Sequence, residues 1–133
     1  RLPSWKISEA TYRLISYVLI ILLSLVTLFY FDRWYTAVNS LVTIIFIVLT
    51  LRWRPSILST FYVSFLFLII PFLLVNGVLT GSFIEDEVVW YNSAEQIGIR
   101  IFTIPVEDVF YAMGLILGTI LFMEWRPFQK KSA

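Results

Sequence analysis

Four long apolar runs constrain the fold of this chain more than any other feature of its sequence. They cover about residues 12–31, 37–51, 57–76 and 104–124, and the charged residues gather between them. A helix needs about 20 mainly apolar residues to cross the hydrocarbon core of a bilayer, and three of the runs reach that length. The second run spans only roughly 22 Å as a helix, so tilting or flanking tryptophans must adjust it.

The composition agrees with a membrane protein. The chain is 59% hydrophobic and 14% charged, whereas about a quarter of the residues are charged in soluble domains. We therefore predict an all-α integral membrane protein whose residues 1–133 form a single domain. Its architecture is a bundle of four transmembrane helices, with one long connection between the third and fourth that has room for structure. Because the first run has full span length and no small-residue cleavage site follows it, we expect no cleaved signal peptide.

Several functions are excluded by what the sequence lacks. It contains no cysteine and no histidine, which excludes disulfides, thiol nucleophiles, Ser-His pairs and the usual zinc sites. The net charge of +1 gives no reason to propose nucleic acid as a partner. The five glycines form neither a dinucleotide fingerprint nor a phosphate loop, so we predict no metal and no cofactor. Proton chemistry in this chain must use carboxylates, tyrosines or water.

The basic residues predict the orientation in the membrane. Four spans place both termini on one side, and eight of the ten basic residues share that side. Only Arg33 and Arg100 fall on the other. Because positive residues are enriched in cytoplasmic segments, we expect a multi-pass protein of the cytoplasmic membrane with both termini in the cytoplasm. The connection at 82–103 then faces the opposite side.

That connection is longer than most loops, which indicates structure or function of its own. It contains an apolar and aromatic segment at 88–91, a turn-forming Asn-Ser pair, and an isoleucine-rich segment at 97–101. The pattern allows either a small hairpin or an interfacial segment folded over the bundle. The sequence alone does not decide between them.

Two adjacent carboxylates, Glu107 and Asp108, lie near the start of the fourth apolar run. Pro105 favours the first turn of a helix, so we place the helix start at or beside it. At helical spacing Glu107 shares a face with Gly114 and Gly118, whose GxxxG pattern lets another helix approach closely. We therefore expect Glu107 to face a helix, from this chain or a partner, and not lipid. Acids also favour helix N-termini for electrostatic reasons alone, but ionisable groups in membrane helices are costly and usually functional.

The same stretch resembles a known family. Its residues form Pro-x-Glu-Asp followed at once by aromatics, and upstream stand Tyr91-Asn92 and the segment 98–101. This is similar to the two-part type of carotenoid cyclase, in which lycopene cyclase is built from two small, related membrane units. Each unit carries a Pro-x-Glu-(Glu/Asp) motif, and the units are separate chains in some bacteria and fused in others and in fungi. Asp108 at the second acidic place, with Tyr111, makes this chain resemble the downstream unit.

The resemblance implies an enzyme that closes rings at the ψ-ends of lycopene or a related acyclic carotenoid. The expected rings are of the β type, and the reaction involves no net redox change. It also implies a second homologous unit as partner. A terminal double bond is protonated, the tertiary cation is attacked by a neighbouring double bond, and a proton is lost. Glu107 is the expected acid because it lies on the packed face, and Asp108 is its modulator or the base.

Residues around the motif are candidates for substrate binding. Aromatic rings attract cations when desolvated, although they also belt membrane interfaces in general. For the polar candidates the alternatives are positioning of the acids, loop structure, or pairing with the acidic residues at 85–87. The candidates are Trp90, Tyr91, Asn92, Arg100, Phe110 and Tyr111. The alternative function is a non-catalytic membrane subunit or a small transport or assembly component.

Overall fold

The computed structural model describes residues 5–124, and its main elements are four α-helices. Helix α1 covers Glu9–Phe29, α2 covers Trp34–Trp53, α3 covers Ser56–Leu79 and α4 covers Glu107–Glu124. Helices α1, α2 and α3 are long and apolar enough to cross a membrane. The predicted helical membrane architecture is thus confirmed for these three. Helix α4 has 18 residues and carries three carboxylates, so its crossing of the membrane stays a prediction.

The ends of α1 and α3 lie within three residues of the predicted runs. Ser8 caps α1, because its hydroxyl accepts a hydrogen bond from the Thr11 N–H at 3.2 Å. Four of the basic residues used for the orientation, Arg1, Arg126, Lys130 and Lys131, lie outside the described residues. The orientation therefore also stays a prediction.

Two helix starts differ from the predicted ones. Helix α2 begins at Trp34 and has 20 residues, so the second run is not short and needs no adjustment. Its first turn is polar, and the Glu95 carboxylate accepts a hydrogen bond from the Trp34 N–H at 2.8 Å. Helix α4 begins at Glu107 and not at residue 104, because Ile104 and Pro105 belong to a short strand.

Helix α2 is the central helix and packs against both α1 and α4. Its contact with α4 uses both glycines of the GxxxG pattern. A Cβ atom on Gly114 would lie 2.7 Å from the Thr43 hydroxyl oxygen, and one on Gly118 would lie 2.7 Å from the ring of Phe46. The helix that approaches the GxxxG face is therefore α2 of the same chain.

Helix α3 joins the bundle through side-chain hydrogen bonds near its two ends. Near its start, the hydroxyls of Tyr62 and Ser16 of α1 lie 2.7 Å apart. Near its end, Asn76 Nδ2 donates to Asp108 of α4 at 3.4 Å. Pro71 is accommodated inside the helix. The second contact brings the end of α3 to the start of α4, where the acid pair lies.

The connection between α3 and α4 contains a two-stranded antiparallel hairpin. Strand β1 (Arg100–Ile101) pairs with β2 (Ile104–Pro105), with Ile101 opposite Ile104. Phe102 in the turn has a positive φ of 56°. Residues 93–95 form a single 3₁₀ turn. A hairpin is therefore present, but it lies at 100–105, because the Asn-Ser pair starts the 3₁₀ turn instead of joining two strands.

Candidate active site

Glu107 is the first residue of α4, and its side chain is fully buried. Its Oε1 atom accepts two hydrogen bonds of 2.7 Å, one from Thr36 Oγ1 and one from the backbone N–H of Ile97. The Oε2 atom is also buried and has no hydrogen-bond partner among residues 5–124. One oxygen is thus fixed by two donors, whereas the other is free to carry a proton.

Asp108 is also buried, with 2% of its surface exposed, but its surroundings are different. The hydroxyl of Tyr35 donates to Oδ1 at 2.6 Å, and the hydroxyl of Tyr91 donates to Oδ2 at 2.6 Å. Asn76 Nδ2 adds a longer hydrogen bond of 3.4 Å to Oδ2. Donors on α2, on α3 and in the connection therefore converge on this group. The arrangement suits a carboxylate anion, which only accepts hydrogen bonds.

The segment 93–97 docks on the start of α2 and helps to hold Glu107 in place. Arg33 Nη1 donates to the carbonyl oxygens of Gln96 at 2.7 Å and Ser93 at 3.3 Å. The Glu95 carboxylate accepts a hydrogen bond from the Trp34 N–H, which is one of the backbone donors that have no partner within a helix at its start. This docking presents the Ile97 N–H to Glu107. The site therefore depends on contacts between residues more than 50 positions apart.

An apolar groove lies beside the acid pair. It has a volume of about 410 Å³, within the range of about 300–1,000 Å³ typical of small-molecule sites. Tyr35 and Tyr91 belong to its lining, and both donate to Asp108 from there. Their ring centroids are 5.8 Å apart, with the planes tilted by 56°. The remaining lining residues are Trp34, Val38, Asn92, Glu95 and Gln96.

Tyr91 lies outside the helices, and its surroundings favour the protonated hydroxyl. Burial raises the pKa of Tyr91, and so does the hydrogen bond to Asp108, whereas the positive charge of Arg100 lowers it. The raised pKa means that the phenol is neutral at physiological pH. Tyr91 can therefore donate to Asp108 throughout that range.

The structure brings only some of the sequence-predicted residues together. Glu107, Asp108 and Tyr91 form one cluster, as described above. Asn92 lines the groove, and its side chain accepts a hydrogen bond from the Ala94 N–H at 3.0 Å. Trp90 lies in the same connection but is 77% exposed.

Within residues 5–124, the side chains of the other three predicted residues make no hydrogen bond to either carboxyl group. Arg100 Nη1 donates to the Thr103 carbonyl oxygen within the hairpin at 3.0 Å, and its link to the site is its charge near Tyr91. The backbone carbonyl oxygen of Phe110 accepts a hydrogen bond from Thr43 Oγ1 at 2.8 Å. Tyr111 is half-exposed on the outer side of α4.

Sequence reasoning missed the residues that donate to the acids from elsewhere in the chain. These are Tyr35, Thr36, Asn76 and the backbone of Ile97. One signal was available, because Thr36, Ser40 and Thr43 recur at helical spacing within a membrane-length run. Polar groups that share one face of a membrane helix indicate a buried polar contact with another helix.

The cluster has the parts needed for proton transfer. One buried carboxyl group has a free oxygen, a second one next to it is surrounded by donors, and an apolar groove adjoins them. Among the described residues, no group of three or more acidic side chains is placed to hold a metal ion. The two buried carboxyl groups are suited to acid–base chemistry shielded from water.

Comparison with known proteins gives one finding. A family model described as lycopene cyclase matches residues 32–126, which is more than two thirds of the chain. No curated protein and no solved structure matches. The matched range contains α2, α3, the connection, and α4 with the acid pair, so all the residues that build the site lie within it. This chain belongs to the lycopene cyclase family.

Proposed function

We propose that this chain is one unit of a lycopene cyclase that closes β-type rings at the ψ-ends of lycopene or a related acyclic carotenoid by acid catalysis. Family membership supports a cyclase role in general. The main support for the acid mechanism is that two adjacent buried carboxyl groups have different hydrogen-bond partners. Among residues 5–124, one buried oxygen of Glu107 has no hydrogen-bond partner, whereas both oxygens of Asp108 accept hydrogen bonds.

Glu107 is the general acid in this proposal. Its proton lies on Oε2, while Oε1 stays fixed by Thr36 and Ile97. Transfer of that proton to the terminal double bond gives a tertiary cation, and attack by the neighbouring double bond forms the ring bond. A general acid of this kind contributes a factor of ~10²–10⁴ to the rate.

Asp108 is the base that accepts the proton lost in the last step. One proton is added and one is released, so the reaction is an isomerisation that needs no redox cofactor. The hydroxyls of Tyr35 and Tyr91 hold the carboxylate, and both tyrosines line the groove. Two carboxyl groups with different surroundings can divide the acid and base roles in this way.

The groove receives the ψ-end. Its apolar lining suits a hydrocarbon, and the two tyrosine rings stand where a cation would be stabilised by about 2 kcal/mol or more in a desolvated site. Asn92 lines the same groove, and Arg100 acts through its charge on Tyr91. Trp90, Phe110 and Tyr111, near the acid pair in sequence, guide the carotenoid from the lipid to the groove.

The second homologous unit, the fourth membrane span and the cytoplasmic termini belong to the same proposal. The partner is supported by the single Pro-x-Glu-Asp motif of this chain, where the resembled family has two units. The GxxxG face does not support it, because α2 already occupies that face. The orientation is supported by the distribution of basic residues along the whole sequence.

Expression in lycopene-producing cells tests the proposed function. The chain is produced with and without an upstream-type unit, and carotenoids are separated by chromatography. We expect cyclic carotenoid only when both units are present. Ring formation that needs this chain but survives replacement of both carboxylates would identify it as a non-catalytic subunit. Full cyclisation by this chain alone, shown to be monomeric, would remove the two-unit arrangement.

A further inference from the structure

Four buried polar side chains have at least one atom without a hydrogen-bond partner within the described part of the chain. One of them is Asn39, through Nδ2, and the other three lie on segments that pack at the start of α4. These three are Glu107, through Oε2, Ser40, through Oγ, and Gln96, through both amide atoms. Ser40 and Glu107 are fully buried, and Gln96 is 2% exposed. Buried polar groups in folded proteins are nearly always hydrogen-bonded, so each of these three needs an explanation.

The three side chains belong to segments that meet at the first turn of α4. Ser40 follows Thr36 by one helical turn and precedes Thr43 by another. Thr36 donates to Glu107, and Thr43 donates to the carbonyl oxygen of Phe110, so the residue between them faces the first turn of α4.

Gln96 belongs to the connection. Its carbonyl oxygen is held by Arg33 Nη1 at 2.7 Å, and the next residue, Ile97, donates its N–H to Glu107. Gln96 also belongs to the lining of the groove. The backbone at Gln96 and Ile97 is therefore held by Arg33 and Glu107, whereas the Gln96 side-chain amide has no hydrogen-bond partner among residues 5–124.

We propose that Ser40, Gln96 and Glu107 bind a single water molecule, and that Gln96 and Ser40 are positioning residues for the acid. A buried water typically makes about three hydrogen bonds, which matches the three unpartnered side chains. The water accepts the proton on Glu107 Oε2 as a hydrogen bond and holds that proton in one orientation. This inference rests on the proposed role of Glu107 as the proton donor.

Infrared spectroscopy of the purified chain in lipid vesicles tests the site without any substrate. The wild type should show a carboxylic acid C=O stretch that disappears in Glu107→Gln. In Gln96→Leu and Ser40→Ala this band should move to higher frequency, because a hydrogen bond to the acid is lost. Ser93→Ala, an exposed serine of the same connection, is the matched control and should leave the band unchanged.

An unchanged band in both Gln96→Leu and Ser40→Ala would overturn the proposal. So would a wild-type spectrum without a Glu107 acid band, because the proton would then not lie on Oε2. If Gln96→Leu fails to fold, Ser40→Ala decides, since it removes only one oxygen atom.

Activity provides the second measurement. With the partner unit present, either variant should lower kcat roughly tenfold with little change in KM, the effect of losing one hydrogen bond to the acid. If the bands shift as expected but even the wild-type pair forms no rings, the water site stands and the cyclase function fails. The two failures are therefore distinguishable.

Discussion

Replacing Glu107 by glutamine separates the acid function of this residue from its structural contacts. The glutamine oxygen can still accept the hydrogen bonds from Thr36 Oγ1 and the Ile97 N–H, both 2.7 Å long in the wild type. The new amide group takes the place of Oε2, which already lacks a partner within the described residues. The cost in folding free energy should therefore not exceed that of one unsatisfied polar group, about 1–3 kcal/mol.

The effect on catalysis should be much larger. Glutamine cannot deliver a proton, so the rate of ring formation should fall by the ~10²–10⁴-fold typical of a lost general acid. The rate of ring formation should fall less in Asp108→Asn, because the tyrosine hydroxyls can rotate and the released proton can pass to another acceptor. Cyclised carotenoid is measured by chromatography in lycopene-producing cells that also express the partner unit.

Two controls make the comparison specific. Membrane level and partner co-purification report folding, and Glu85→Gln removes an exposed acid from the same connection without touching the site. Wild-type ring formation by Glu107→Gln at normal protein level would refute the acid assignment. A steeper loss in Asp108→Asn than in Glu107→Gln would refute the division of roles between the two carboxyl groups.

Three further outcomes are expected. Tyr91→Phe should lower ring formation about tenfold, because one donor to the second carboxylate is lost. In the wild type, the spectroscopic signal of the Tyr91 phenol, identified by its absence from Tyr91→Phe, should titrate above the usual pKa of about 10, because the pKa of Tyr91 is raised. The stability due to the neutral hydroxyl is complete below pH ~10 and declines as the pH rises toward that raised pKa; titration at or below ~10 would contradict this. Gly114→Ala should lower the free energy of unfolding in detergent by about 1–3 kcal/mol, because the new methyl group would lie 2.7 Å from the Thr43 hydroxyl oxygen. An unchanged melting temperature would argue against the α2–α4 contact. In this cysteine-free chain, Ser93→Cys should react with an impermeant thiol reagent added outside intact cells, whereas Ser56→Cys should not. Labelling of Ser56→Cys from outside would refute the orientation.

The sequence predicted the helices well where their apolar runs decide the structure. Helices α1 and α3 lie close to their runs because nothing in the rest of the chain competes for those residues. The start of α4 was wrong because Ile104 pairs with Ile101 in the hairpin, and a two-residue strand leaves no periodic signal. The start of α2 was wrong because its first turn is polar and is stabilised by Glu95, 61 positions away.

The sequence could predict those features of the site that depend on α4 alone. The placement of Glu107 on the glycine face required only helical spacing, and the structure buries it there. The choice between a helix of this chain and a partner's could not be made, because GxxxG specifies a close approach and not which helix makes it. Tyr35 and Thr36 could not be assigned to the acids, since their contacts cross more than 70 positions.

The position of the acid pair at the start of a helix has a physical reason beyond the helix dipole. Inside a membrane helix every backbone N–H is used by the helix itself, so a buried carboxyl group there finds few donors. At the start of α4 the neighbouring segment supplies a free N–H from Ile97, and the connection supplies the hydroxyl of Tyr91. Because successive helical residues point about 100° apart, Glu107 meets one set of donors and Asp108 another. Two adjacent carboxyl groups can therefore differ in their surroundings at the rim of the bundle, which is the condition for dividing acid and base roles.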